Sequence, residues 1–295
     1  MTQNNKYELL AKIWSEFSEN KIAVVALVCF SIILFVAVFA SVISPTDPYD
    51  LATVTIMNSR LPPLEEDFSG NVYWLGTDGA GRDMLSAIFY GLRISLSVGV
   101  LSGIFALIVG AFFGISAAYF GGRYETLIMR IVDIQLSFPS ILVALIILAA
   151  FGKGVEKTIL ALVLVQWAYY ARTARASALV ESRKEYVDAA RCLSLGNLRI
   201  MLNHILPNCI PPLIVVGTLQ TAHAISLEAT LSFLGLGLPQ TEPSLGLLIG
   251  NGFEYVHTGD YWISIFPGIA LLITIVSINL VGDQLRDMFN PRLKR

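Results

Sequence analysis

Residues 22–43 form a run of 22 positions without one charged side chain. A bilayer core about 30 Å thick is crossed by roughly 20 apolar residues in a helix, so this run is long enough to span, and it is not alone. Uncharged apolar runs recur at 94–120, 134–152, 158–171, 205–227 and 261–282. The run at 158–171 is short and reaches membrane length only if Arg172 and Arg175 snorkel from its end. Composition agrees: 55% of the 295 residues are apolar and 14% are charged, against about 25% charged in an ordinary soluble domain. The expected fold class is an all-α integral membrane protein with six transmembrane helices. A net charge of −2 leaves no electrostatic footprint for nucleic acid.

The first run is too long for the apolar core of a signal peptide, about 7–15 residues, and reads as a retained helix. Before it, Tyr7, Leu10, Trp14 and Phe17 recur at helical spacing among Lys6, Lys12 and Lys21. That pattern predicts an amphipathic segment over 1–21 lying on the membrane surface.

Basic residues set the orientation. Most of the 20 Lys and Arg fall in the N-terminal tail, the second-to-third and fourth-to-fifth connections, and the C-terminus. These four segments face the cytoplasm, with both termini inside. The organisation expected is therefore 1–21 cytoplasmic, 22–43 first span, 44–91 an external loop, 92–285 a five-helix core containing a cytoplasmic loop at 180–207, and 286–295 a cytoplasmic tail. The external loop is acidic (Asp47, Asp50, Glu65, Glu66, Asp67, Asp78, Asp83), and so is a second one at 239–260.

Catalytic signatures are missing. The chain has no GxxxxGK[ST] phosphate loop, no HExxH and no GxSxG. Cys29, Cys192 and Cys209 make no CxxC, and the three histidines are scattered without metal-ligand spacing. No catalytic residue and no metal site is expected. His223 stands out because it lies inside an apolar run. Arg130 and Asp133 share a helix face and read as a structural ion pair. Glu228 closes the fifth run, as an interfacial carboxylate or as a group at a cavity mouth. The pairs Gly99/Gly103 and Gly110/Gly114 are small residues four apart, which let helix backbones approach closely in lipid. Pro139 predicts a kink in the third span, and Pro207, Pro211 and Pro212 open the fifth.

The cytoplasmic segment 183–208 reads RKEYVDAARCLSLGNLRIMLNHILPN. Tyr186, Val187, Ala190 and Leu193 make one stripe of a short amphipathic helix, and Ala189 and Ala190 are small enough to admit a partner surface. This segment resembles the EAA loop of ABC-importer permeases. Asp188, Ala189, Ala190, Ser194, Leu206 and Pro207 match its pattern, with Asp for Glu, Ser for Gly, and Gly196 available as a helix stop. Further blocks are similar to permeases of the dipeptide, oligopeptide and nickel family: 75–84 (LGTDGAGRDM) with 91–99 (GLRISLSVG), 231–239 (LSFLGLGLP), Phe266-Pro-Gly, 279–287 and 290–292.

The resemblance is to the C-type permease of a dipeptide or oligopeptide importer. It implies a type I ABC-importer permease fold in the bacterial inner membrane, a second non-identical permease, two ATPase subunits that bind the ATP and Mg, and an external substrate-binding protein. This chain itself would hold no cofactor. The ATPase contact would be made by Tyr186, Val187, Asp188, Ala189, Ala190, Leu193, Ser194, Gly196, Leu206 and Pro207. Asp78, Arg82, Asp83 and Glu228 are candidates for external docking or gating; for the first three, structural pairing of Arg82 with a neighbouring carboxylate is the alternative. Nickel chelate or glutathione is the alternative cargo, and an ATP-independent carrier is the rival from another class.

Overall fold

The structure, a computed structural model, describes residues 14–50, 54–68, 70–242 and 244–289. Tyr7, Leu10, Lys6 and Lys12 of the predicted amphipathic segment, and the 290–292 block, lie outside the described residues. Trp14 and Phe17 are within them, on one helical turn, their rings stacked at 6.2 Å.

The first long helix, α1 (Lys21–Ile43), starts where Asn20 accepts hydrogen bonds from the amides of Ile22 and Ala23. The same Asn20 donates to Gln284 at 3.0 Å, tying this end to the end of the chain's last helix. A loop carrying a two-residue hairpin, β1 (Glu65–Glu66) and β2 (Val72–Tyr73), then leads to α2 (Met84–Phe120). At 37 residues α2 begins ten residues before the predicted run. Polar Ser86, Ser95 and Arg93 are accommodated because they bond within the protein. Arg93 donates to the carbonyls of Ala37 and Val38 at 3.0 and 2.9 Å, near the end of α1.

The third predicted span is not one kinked helix. It divides into α3 (Gly122–Ser137) and α4 (Ser140–Phe151), bent by 93° at Phe138 and Pro139. Proline disfavours helix for the residue before it and cannot donate into a continuing ladder, so α4 restarts with the Pro139 carbonyl accepting from Leu142 and Val143. Next come α5 (Val155–Glu181), the short α6 (Glu185–Cys192), and α7 (Asn197–Phe233), which carries a π-helical turn at Met201–Ile205. Last are α8 (Leu245–Phe253) and α9 (Trp262–Phe289).

By length and apolarity four described helices can cross a membrane, or five if the bent pair is one span. The predicted run at 158–171 lies in α5, a 27-residue helix whose charged Glu156, Lys157, Arg172 and Arg175 flank the apolar run, which is itself largely enclosed. Ala161, Leu162, Val165, Ala168, Tyr170, Ala171 and Ala174 are all buried. Its main partner is α2. The glycine pairs explain how close the two lie: a Cβ on Gly110 would sit 2.5 Å from Tyr170 Cβ, and one on Gly114 would sit 2.8 Å from Ala174 Cβ. Gly99 does the same against Ile225 of α7. The packing reading of those pairs is borne out.

Two further expectations change. The segment 239–260 is not simply a loop, since α8 within it buries Leu245, Leu247 and Leu248. The α7 helix starts ahead of its prolines, with Pro211 and Pro212 inside it. Pro207 lacks the N–H that would reach back to Asn203, and the wider π turn just before it lets the helix continue.

Candidate functional site

Three regions are candidates for a functional site: the segment around α6 at the basic end of the bundle, a polar cleft between helices, and the loop at the acidic end.

At the basic end, α6 packs against the bundle through Val187 and Ala190, both buried in a cluster with Ala174, Ala178, Ile200, Met201 and Ile205. Tyr186, Asp188, Ala189 and Leu193 are exposed, Leu193 to 74%. The predicted stripe therefore divides. Ala190 faces the chain's own core, and Ala189 is the small residue left on the surface. An eight-residue helix has barely two turns, so periodicity alone does not choose between adjacent faces. Asp188 pairs with Arg191 at 3.0 Å, and the Arg191 guanidinium lies 5.2 Å from the centre of the Tyr119 ring, whose hydroxyl donates to Asn197.

Ser194 has φ +56°, with its amide bonded to the Arg191 carbonyl and the next amide to that of Ala190. It ends α6 in the left-handed region where glycine is favoured. Gly196 is not the stop. Its backbone is extended (φ −61°, ψ 142°) and precedes α7. Leu206 is half-buried against the same core, and Pro207 is exposed at the π turn.

At the acidic end the candidate charges are occupied by their own chain. The Asp78 carboxylate accepts from the amides of Ala80 and Arg82, each at 2.9 Å, and from Arg82 Nε at 2.7 Å. Asp83 caps α2, accepting from the Ser86 amide at 2.9 Å and the Ser86 hydroxyl at 2.5 Å. Gly76 at φ +76° shapes the same turn. A side chain there would strike the Leu61 carbonyl and the Trp262 indole, whose N–H donates to the Thr77 carbonyl at 3.1 Å. Gly76 of the LGTDGAGRDM block thus lets the loop close onto Trp262 at the start of α9. Structural pairing of Arg82, rather than a free docking charge, is what the geometry supports.

Glu228 is fully buried and does not open onto a cavity mouth. Its oxygens accept from Ser95 of α2 at 3.0 Å and Ser232 of α7 at 2.8 Å, and Ser95 also accepts from the Leu245 amide of α8. The carboxylate joins three helices. A buried polar group is tolerated when its hydrogen bonds are made. Asp133 finds its partner not in Arg130 but in Arg172 of α5, at 2.6 Å, and Glu125 pairs with Arg175.

Between α5, α7 and α9 lies an open cleft of about 450 Å³. Its polar lining is Tyr169, Gln220, His223, Ser226 and Asn279. Gln220 Oε1 is buried with no hydrogen-bond partner among the described residues. Of these, the sequence marks His223 alone, by its place inside an apolar run. A further signal was there: Gln220, His223 and Ser226 are spaced three apart, which places them on one helix face. A larger cavity, about 760 Å³, lies in the acidic-end loop around Asn58, Tyr73 and Trp74. It is outside the helical bundle.

Residues 110–295 match the family described as "Binding-protein-dependent transport system inner membrane component", and residues 8–63 match "N-terminal TM domain of oligopeptide transport permease C". The dipeptide transport system permease protein DppC of Escherichia coli K12 is 41% identical over 286 residues, 97% of this chain and 94% of that protein. The di/tripeptide transport system permease protein DppC of Pseudomonas aeruginosa is 37% identical over 285 residues, 97% and 93% of the two chains. Among solved structures, the MetNI methionine ABC transporter in an inward facing conformation aligns with TM-score 0.56 and 20% identity, covering 70% of this chain and 98% of that one; this likeness concerns the fold. Together with the apolar helices, these matches make the chain an inner-membrane permease of the binding-protein-dependent ABC importer family.

Proposed function

We propose that the chain imports dipeptides or oligopeptides as one half of a translocation path, with a second, non-identical permease as the other half. Two ATPase subunits dock at the basic end and bind the ATP and Mg, and an external binding protein delivers the cargo at the acidic end. The observation that carries this reading is the cleft. Polar side chains on membrane helices are costly unless they face a bundle interior or a water-filled cavity. Tyr169, Gln220, His223, Ser226 and Asn279 gather on one open side, a wall that a second subunit would complete. The lining offers neutral donors and acceptors, suited to the amide groups of a peptide. The names of the relatives support the cargo, and the exposed Ala189 and Leu193 on α6 supply a contact for an ATPase.

The test is to tag the chain, express it with its neighbouring genes, and identify what copurifies from mild detergent. A second permease and two ATPase chains in fixed proportion, with ATP hydrolysis stimulated by peptide-loaded binding protein, are expected. A chain purified alone that still moves solute would establish a carrier independent of ATP instead.

A further inference from the structure

The contact between α6 and the bundle includes one polar element beside the buried Val187 and Ala190. The Tyr186 hydroxyl donates to Glu181 Oε2 at 2.6 Å, at the end of α5. It accepts from Asn208 Nδ2 at 3.1 Å, in α7, and lies 3.3 Å from the His204 carbonyl in the π turn. Asn208 also donates to that carbonyl, at 2.8 Å, and Lys184 Nζ holds the other Glu181 oxygen at 2.6 Å. One phenol therefore links the short helix to α5 and α7, two of the three long helices that line the cleft.

We propose that Tyr186 is a positioning residue for coupling. Its hydroxyl makes α6 move as one body with the basic ends of α5 and α7, so that motion of an ATPase subunit reaches Tyr169 on α5 and Gln220 and His223 on α7. The proposal rests on the reading of the chain as an ATPase-driven permease. Rigid transmission needs a link that does not slip, and apolar contact alone permits sliding because it has no directional preference. A hydrogen bond to a charged acceptor does have one, and is stronger than a neutral bond.

The two partners keep the states this link requires. Partial desolvation of the hydroxyl against the bundle, and then the neighbouring Glu181 carboxylate, push the phenol up to about 12, so it remains a donor at physiological pH. Burial pushes the Glu181 carboxyl up, but the Lys184 and Tyr186 hydrogen bonds outweigh it and hold the group below its ordinary value. The π turn adds a reason for the location. A widened turn is a place where a helix can change its pairing, and the Asn208 and Tyr186 side chains converge on its His204 carbonyl.

The test uses the complete complex in liposomes, with labelled alanyl-alanine as cargo and ATP hydrolysis measured in the same vesicles. Tyr186→Phe keeps the ring and removes the hydroxyl. Peptide imported per ATP hydrolysed should fall about tenfold, the scale of losing one charge-assisted hydrogen bond, while the complex purifies with unchanged composition. Glu181→Gln, which keeps an acceptor but removes its charge, should give a smaller fall in the same ratio. If Tyr186→Phe fails to assemble, Glu181→Gln decides by itself. An import-to-ATP ratio equal to wild type in the assembled variant overturns the proposal. Failure of the wild-type complex to couple import to ATP would instead remove the underlying functional reading.

Discussion

The two ends of this bundle treat their loop residues in opposite ways. At the acidic end, Asp78, Arg82 and Asp83 look in sequence like a charged patch waiting for a partner, and in three dimensions each is bonded to its own loop or caps its own helix. At the basic end, α6 keeps Val187 and Ala190 for its own core and presents Ala189 and Leu193 outward. Charge in a loop of this chain does not by itself mark unpaired groups, because turns and helix starts use carboxylates to satisfy backbone amides.

The sharpest way to break this contrast is a pair of neighbouring substitutions. Ala190→Glu places a carboxylate in a core cluster and should cost roughly 3 kcal/mol, the scale of an uncompensated buried charge; a thermal melt of the purified protein in detergent should register the loss. Ala189→Glu, one residue away on the exposed side, should leave the melt within about 0.5 kcal/mol of wild type while copurification of the ATPase subunits falls. Equal melts for the two would mean that the faces of α6 are wrongly assigned.

Smaller effects are expected at the acidic end. Asp83→Ala removes the cap of α2 and should destabilise by about 1–2 kcal/mol, again read from the melting temperature. Arg82→Gln leaves Asp78 with its two amide donors and should cost about 1 kcal/mol, with stimulation by loaded binding protein retained. A loss of that stimulation at unchanged melting temperature would restore Arg82 to a docking role. The smallest shift should be a gain. Ser194→Gly relieves a side chain at φ +56° and should stabilise by up to about 1 kcal/mol, checked by the same melt.

The bonds of Glu181 predict a pH dependence. Its carboxyl is held below its ordinary value, so its contribution is complete above the unfolded pKa, about 4.3, and is lost as pH falls through the lower folded value. Melts from pH 7 to 5 should show no contribution from Glu181→Gln that varies with pH. A difference between wild type and variant that changes in that range would contradict the sign.

Much of the fold was legible in the chain. The runs 22–43, 94–120, 205–227 and 261–282 each fall inside or almost wholly inside one observed helix, because hydropathy accumulates residue by residue and needs no knowledge of neighbours. The glycine pairs at 99/103 and 110/114 foretold close packing for the same local reason. The legibility stopped at contacts. Asp133 and Arg130 are adjacent on a helix face, yet Asp133 bonds Arg172, 39 residues away. Glu228 reads as a boundary carboxylate until Ser95, 133 residues earlier, encloses it. Pro139 announced a kink but not a 93° break.

Sequence by itself determined the membrane class, the helix-forming runs and the family, since each rests on patterns local to a run or a motif. Tertiary structure alone decided which side of α6 is free, where the acidic-end charges are spent, and that Tyr169, Gln220, His223 and Asn279 share one cleft. Those outcomes depend on which distant segments the packing brings within a few ångströms, and a hydrogen bond exists only where such a meeting supplies both donor and acceptor.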